Sequence, residues 1–240
     1  MIVRDLGDSW QVVMQTDHAE LSRDFARAWA DQGPQHASLT VAAERHDDGW
    51  AVWEQAPRVD DAGRPVNFLE VDVRSHLAFY RAGIAAITEQ DPHAGLLVSM
   101  HGAGIYKQRY GLDPGLGLSR AVEVQGEVDA FVAEQEAKFG GDPGELRAEY
   151  DLLQLYDRLS LYFCLRDLEA GEEAELQGYR LEPAGPWQVR ISPCPFADGA
   201  DGFSLLRRVL PKRARSSEEF LAELAANPAE RTEISVLGGS

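Results

Sequence analysis

Cysteine is almost missing from this sequence. Cys164 and Cys194 are its only two in 240 residues, too few for a disulfide scaffold or a four-cysteine zinc site. Lysine is nearly as scarce: Lys107, Lys138 and Lys212 are the only lysines among 23 cations, so contacts to fixed anions fall mostly to arginine. Those 23 cations stand against 40 acids, a formal net charge of −17. A surface of that sign argues against binding the phosphate backbone of nucleic acid or an anionic membrane face. No apolar run approaches the roughly 18 residues that span a bilayer, and the chain opens with charged residues rather than a signal core. Internal repeats and low-complexity tracts are also missing. What remains is 44% hydrophobic and 26% charged, a globular composition able to bury a core. The expectation is a bacterial-type protein of the reducing cytoplasm.

Both ends of the chain read as β-rich and the middle as helical. Met1 to Arg4 and Trp10 to Met14 are extended runs around the turn residues Gly7-Asp8-Ser9. Asp17 with Glu20 three residues on predicts a helix start, and His18, Leu21, Phe25 and Trp29 share its face. Ser38 predicts the cap of a second helix that runs to about Asp48 and ends at Gly49. A loop at 55–67 precedes a stripe of Val73, His76, Leu77, Tyr80, Ile84 and Ile87, which ends before Pro92. A fourth helix over 93–109 aligns Leu97, His101 and Ile105. A polar helix follows at 119–139. After the break at 140–144, a helix over 145–168 aligns Tyr150, Leu153, Asp157, Leu161, Cys164 and Leu168. Beyond Gly171, strands are expected at Tyr179 to Glu182 and Trp187 to Ser192, with a short helix at 216–226.

Several of these helices carry a polar residue where the stripe calls for an apolar one. His18, His76, His101 and Asp157 each interrupt a different apolar face, and His46-Asp47 ends another helix. Six histidines and 19 aspartates would give roughly 0.5 His-Asp pairs by chance, so that pair alone is weak. The set is stronger. A carboxylate placed among Tyr150, Leu153 and Leu161 costs several kcal/mol unless it is paired or ligates a metal. Four histidines and two aspartates suit two first-row metal ions, since imidazole favours iron, manganese or zinc and a carboxylate can bridge two cations. His36 and His93 stand beside helix starts and read as capping or exposed residues. Tyr80, Tyr106 and Tyr110 read as packing residues, and Cys164 as a buried inert thiol.

The order His18, His46-Asp47, His76, His101, Asp157 resembles the H…HD…H…H…D signature of the metal-dependent HD-domain superfamily. Its gaps of 28, 30, 25 and 56 residues suit ligands delivered by successive helices. His46-Asp47-Asp48-Gly49 is similar to the HD-x-G form, and Asp157-Arg158-Leu159 to the D-R-L at the last aspartate. The resemblance covers about residues 15–168. It implies a mainly α fold, an HD-domain-like helical bundle, to which the N- and C-terminal segments would add a small accessory β-sheet. The expected division is a helical metal-binding domain over 1–170, with an N-terminal hairpin, and a β-rich extension packing on it over 171–240. Thr16 to Ser22, Ser99 to Gly104 and Pro195-Phe196 also resemble segments of a bacterial family without an assigned function.

The HD resemblance implies a first metal at His18, His46, Asp47 and Asp157, and a second at His76 and His101 with Asp47 bridging as the catalytic carboxylate. Members with both intermediate histidines include phosphohydrolases and mixed-valent di-iron oxygenases. The G-Y-P motif of the cyclic-dinucleotide phosphodiesterases is replaced here by Gly102-Ala103-Gly104. Trp50 and Trp53 stand where inositol oxygenase has a lysine. The compact spacing is closer to phosphonate-type oxygenases. The leading expectation is therefore an oxygenase with two iron ions, using O2 on a small polar or anionic metabolite; manganese or zinc are alternative metals. A metal-dependent phosphohydrolase and a non-catalytic metal-binding protein are the alternatives in function. Lys107, Arg109 and Arg158 are candidate contacts to an anionic substrate.

Overall fold

The computed structural model describes residues 1–107, 124–141, 144–166, 168–169, 171–197 and 202–238. Strands β1 (Ile2–Asp5) and β2 (Ser9–Val13) form an antiparallel hairpin with Ile2 opposite Val13. Its turn holds Gly7 at a φ of 89°, a conformation open to glycine without a Cβ penalty. The chain passes from β2 almost directly into α1 (Gln15–Ala28), whose N-cap is Met14 rather than Asp17. The expected capping box is displaced because the strand feeds the helix without a turn, leaving Asp17 in the first helical turn.

Helix α2 (His36–Arg45) ends earlier than its apolar pattern suggested. His46 is its C-cap, Asp47 departs from helical geometry at φ −112°, and a 3₁₀ turn covers Asp48–Trp50. A four-residue helix, α3 (Ala51–Glu54), follows. The next two helices start on aspartates. Asp72 caps α4 (Val73–Gln90) by accepting from Ser75 N at 2.9 Å, and Asp91 caps α5 (Pro92–Tyr106) by accepting from His93 N and Ala94 N at 3.0 Å each. All three bonds satisfy helix-start donors that have no partner within the helix. Pro92 at the first helical position loses no bond there. Helices α6 (Gln125–Lys138) and α7 (Arg147–Leu165) complete the central group.

The remaining strands are β3 (Ala174–Leu176), β4 (Tyr179–Gly185), β5 (Gln188–Ser192), β6 (Phe203–Pro211) and β7 (Glu230–Gly238), with α8 (Ser217–Ala226) between the last two. They join the N-terminal hairpin in one seven-stranded sheet of order β1-β2-β6-β7-β5-β4-β3. Among the described residues, β5 and β7 pair in parallel and the other neighbours in the sheet are antiparallel. Strand β6 is the link: residues 208–211 pair with β2, and residues 203–207 pair with β7.

This overturns the expected mainly α, HD-domain-like bundle with a small accessory β-sheet. Among the described residues helix takes 53% and strand 21%, so the fold is α/β with the sheet as a full layer. The boundary expected at 170/171 falls between strands of that one sheet. Strands β6 and β7 escaped the sequence reading because their pairing is non-local and their faces are mixed. Arg207 and Arg208 interrupt β6, and charged residues open β7.

Helices α1 and α7 pack between the sheet and the remaining helices. Phe25 of α1 lies 4.9 Å from Phe203 of β6 and 5.9 Å from Phe163 of α7, measured between ring centroids. The end of α1 is tied down by Pro195 to Ala197: Ala30 N donates to Pro195 O at 2.9 Å, and Ala197 N to Ala28 O at 3.0 Å. A separate small core of Met1, Val12, Leu210, Phe220 and Leu224 seats α8. On the opposite side of the helical layer, α4 crosses the Asp48–Trp50 turn at backbone contact. A Cβ on Gly49 would come within 1.9 Å of the Phe79 carbonyl oxygen, and one on Gly83 within 3.0 Å of Gly49 N.

Gly49→Ala is therefore expected to lower the unfolding free energy by about 2 kcal/mol or more, because backbone rather than a flexible side chain must move. Gly126→Ala, in the open space around α6, should be neutral or stabilising by up to about 1 kcal/mol. Denaturant midpoints of the two variants check the contrast.

Candidate metal centre

Four helices bring five of the six expected ligands together. His18 sits on the buried face of α1 and His46-Asp47 at the end of α2. His101 lies midway along α5 and Asp157 midway along α7. All five are between 1% and 5% exposed, so each polar group there must be answered by another. His18 Nε2 lies 2.9 Å from Asp47 Oδ2, and His46 Nε2 lies 3.3 Å from Asp157 Oδ1 and 3.7 Å from Asp47 Oδ2. The His46 ring is 5.1 Å from that of His18 and 5.0 Å from that of His101. Two three-residue groups have ligand atoms close enough to share an ion: His18, His46 and Asp47, and His46, His101 and Asp157.

Bonds beyond the ligand atoms fix their orientation. His46 Nδ1 donates to the Ala43 carbonyl at 2.9 Å, which leaves Nε2 facing the carboxylates. Ser160 Oγ holds His18 Nδ1 at 2.8 Å and accepts from Ser22 Oγ at 2.9 Å. Tyr80 donates its hydroxyl to Asp47 Oδ1 at 2.8 Å and lies 3.5 Å from His101 Nε2. Neither Ser160 nor Tyr80 was identified as a site residue from sequence. A signal was present, because Ser160 is three residues after Asp157 and Tyr80 four after His76, the spacings that share a helix face.

The other expected residues are dispersed. His76 stays outside both groups; its Nδ1 pairs with the Tyr106 hydroxyl, and its ring packs 5.3 Å from Trp50 and 4.9 Å from Tyr80. Lys107 pairs with Glu136 of α6. Arg158 is half-buried on α7 and joins none of the cluster's hydrogen bonds described above. Arg109 lies outside the described residues. His93 pairs with Glu149, and His36 opens α2.

The donor set fits a cation. His46 Nε2 is buried without a hydrogen-bond partner among the described residues. With Nδ1 committed to Ala43, a neutral His46 would aim its Nε2 lone pair at two carboxylates. Either a proton or a metal ion on Nε2 removes that repulsion. Without metal, the proton is strongly favoured. Burial alone would push the His46 pKa down, but the adjacent Asp47 and Asp157 together outweigh burial and raise it to about 9. Burial pushes both carboxylates up, yet the facing imidazoles, His46 foremost among the charges on Asp47, hold them below their ordinary range. Burial pushes His76 down to about 4, and burial with the His46 charge does the same to His101.

These shifts set a pH optimum for the metal-free protein. His46 has a folded pKa of about 9, above its ordinary 6.5, so its contribution is full below 6.5 and lost as pH rises through about 9. His76 and His101 resist protonation until about 4, so their contribution is full above their ordinary value and lost as pH falls toward 4. Chelator-treated protein is expected to be most stable near the ordinary histidine pKa of about 6.5, with Asp157→Asn flattening the alkaline decline. Urea midpoints across pH 4–9 measure this, and a steady rise above 6.5 would contradict it.

No curated protein and no solved structure gives a significant match to the chain. A family model does, over residues 1–212. That match spans most of the sequence, and the chain belongs to the family described as protein of unknown function DUF3891.

Proposed function

We propose that this chain is a metal-dependent oxygenase that uses O2 on a small polar metabolite at an HD-type histidine–aspartate centre. The observation that carries the reading is the buried His46 Nε2, which faces two carboxylates without a hydrogen bond of its own among the described residues and is flanked by His18 and His101. His18, His46, Asp47 and Asp157 would hold the first iron ion, and His101 with His76 would serve a second on the outer side of Asp47. Bound there, iron supplies Lewis acidity and one-electron exchange with O2. The chain's own part is to orient and to keep the centre dry. Ser160 and the Ala43 carbonyl fix two imidazoles, and partners of this kind are typically worth 10–100-fold in metal affinity.

The wall outside the centre favours oxidation over phosphate chemistry. Trp50, His76, Tyr80 and Tyr106 form it through ring contacts, and the buried Trp50 Nε1 has no hydrogen-bond partner among the described residues, a donor left for a polar ligand. Among the described residues, Arg74, Arg81 and Lys107 are engaged by glutamates of α6: Arg74 with Glu127, Arg81 with Glu134, and Lys107 with Glu136. To use any of these three, a phosphate ester would have to draw it away. The acidic chain disfavours polyanionic partners. Free Cys164 and Cys194 suit the reducing cytoplasm, and among the described residues no helix is long and apolar enough to cross a membrane.

One observation favours a phosphohydrolase instead. The two three-residue groups share His46, whose single available nitrogen serves one ion, and one ion is enough to activate water. Redox chemistry separates the readings. Iron-loaded, partly reduced protein is expected to show an electron paramagnetic resonance signal from a half-integer coupled spin. Zinc-loaded protein that hydrolyses a generic phosphate ester without O2 would establish the hydrolase instead. Ser160→Ala should weaken the first metal by about tenfold, read by chelator competition, with no loss of folded helix in circular dichroism.

A further inference from the structure

The two oxygens of Asp47 face different company. Oδ2 faces the inner imidazoles of His18 and His46. Oδ1 accepts from the Tyr80 hydroxyl at 2.8 Å, and that hydroxyl also lies 3.5 Å from His101 Nε2. The Tyr80 ring packs 4.9 Å from the ring of His76. The phenol thus occupies the space among Asp47 Oδ1, His101 and His76, the three groups that a second cation would need.

Its position is built into the backbone. Tyr80 sits three residues before Gly83, and Asp47 two before Gly49, so the close crossing of α4 over the 48–50 turn sets the distance between them. On the α5 side the ring lies against Gly102, where an added Cβ would come within 3.3 Å of Tyr80 Cδ1. Neighbours therefore approach closely on two sides, and turning the side chain is the local movement that would take the hydroxyl off Asp47.

We propose that Tyr80 is a built-in competitor for the second metal position. The centre loads its inner ion at His18, His46, Asp47 and Asp157 first. The outer position then fills only when the Tyr80 hydroxyl gives up Asp47 Oδ1. This is a positioning role in which the phenol controls metal stoichiometry, and it rests on the metal-centre reading above.

Manganese titration of the metal-free full-length protein, followed by the electron paramagnetic resonance signal of free Mn²⁺, provides the test. Wild type should bind one equivalent tightly and a second more weakly. Tyr80→Phe, which keeps the ring and removes the hydroxyl, should tighten the second by about tenfold, the scale of a hydrogen bond to a charged group, without tightening the first. In wild type, the second equivalent and not the first should produce a tyrosine ultraviolet difference spectrum, which Tyr80→Phe loses. Two equally tight equivalents in wild type overturn the proposal, as does a second affinity that is unmoved or weakened in Tyr80→Phe. If Tyr80→Phe does not fold, a wild-type second equivalent without a tyrosine signal overturns it alone. Failure of wild type to bind even one equivalent rejects the metal centre itself, and the Tyr80 proposal with it.

Discussion

Two carboxylates buried among imidazoles set the terms for the helical half of this protein. Asp47 and Asp157 are 4% and 5% exposed, and a desolvated carboxylate survives in the charged form only with opposite charge or donors against it. The neighbours come from α1, α2, α4, α5 and α7, so these helices must meet at one point for any of the charges to be satisfied. Removing one partner would leave the other groups buried and uncompensated.

The sheet makes that convergence possible. Because β6 pairs with β2 on one side and β7 on the other, the two ends of the chain are joined under α1 and α7. The aromatic contacts of Phe25 with Phe163 and Phe203 then fix how those two helices lie. His18 and Asp157 are carried on the same two helices. The layer expected to be accessory is the platform on which the helices that carry His18 and Asp157 are placed.

The charge of the centre leaves a choice between a proton and a cation. In the metal-free chain His46 keeps its proton well beyond the ordinary range because two carboxylates face it. A metal ion would take over that positive charge and require the imidazole neutral, so proton and metal compete for one nitrogen. On the outer side Tyr80 gives Asp47 Oδ1 a neutral donor. One carboxylate therefore links an inner position where charge is required to an outer one where a hydrogen bond already satisfies it.

Much of this centre was legible in the sequence, and for a local reason. Helical period assigns a residue to a face, so His18, His101 and Asp157 stood out as polar groups on apolar stripes, and His46-Asp47 as their complement. Residue type then fixed the chemistry available to them: hard and borderline donors without thiolate. Period does not say which atoms meet across helices. Whether His76 joins His101 or turns to Tyr106, and whether Tyr80 is packing or a donor to Asp47, depends on the backbone crossing at Gly49 and Gly83. The same limit hid the sheet, since the partners of β6 lie far away in sequence at β2. The sequence by itself determined which side chains could face inward and what they could bind. Tertiary packing decided their distances and their pairing, because those follow from contacts between segments remote along the chain.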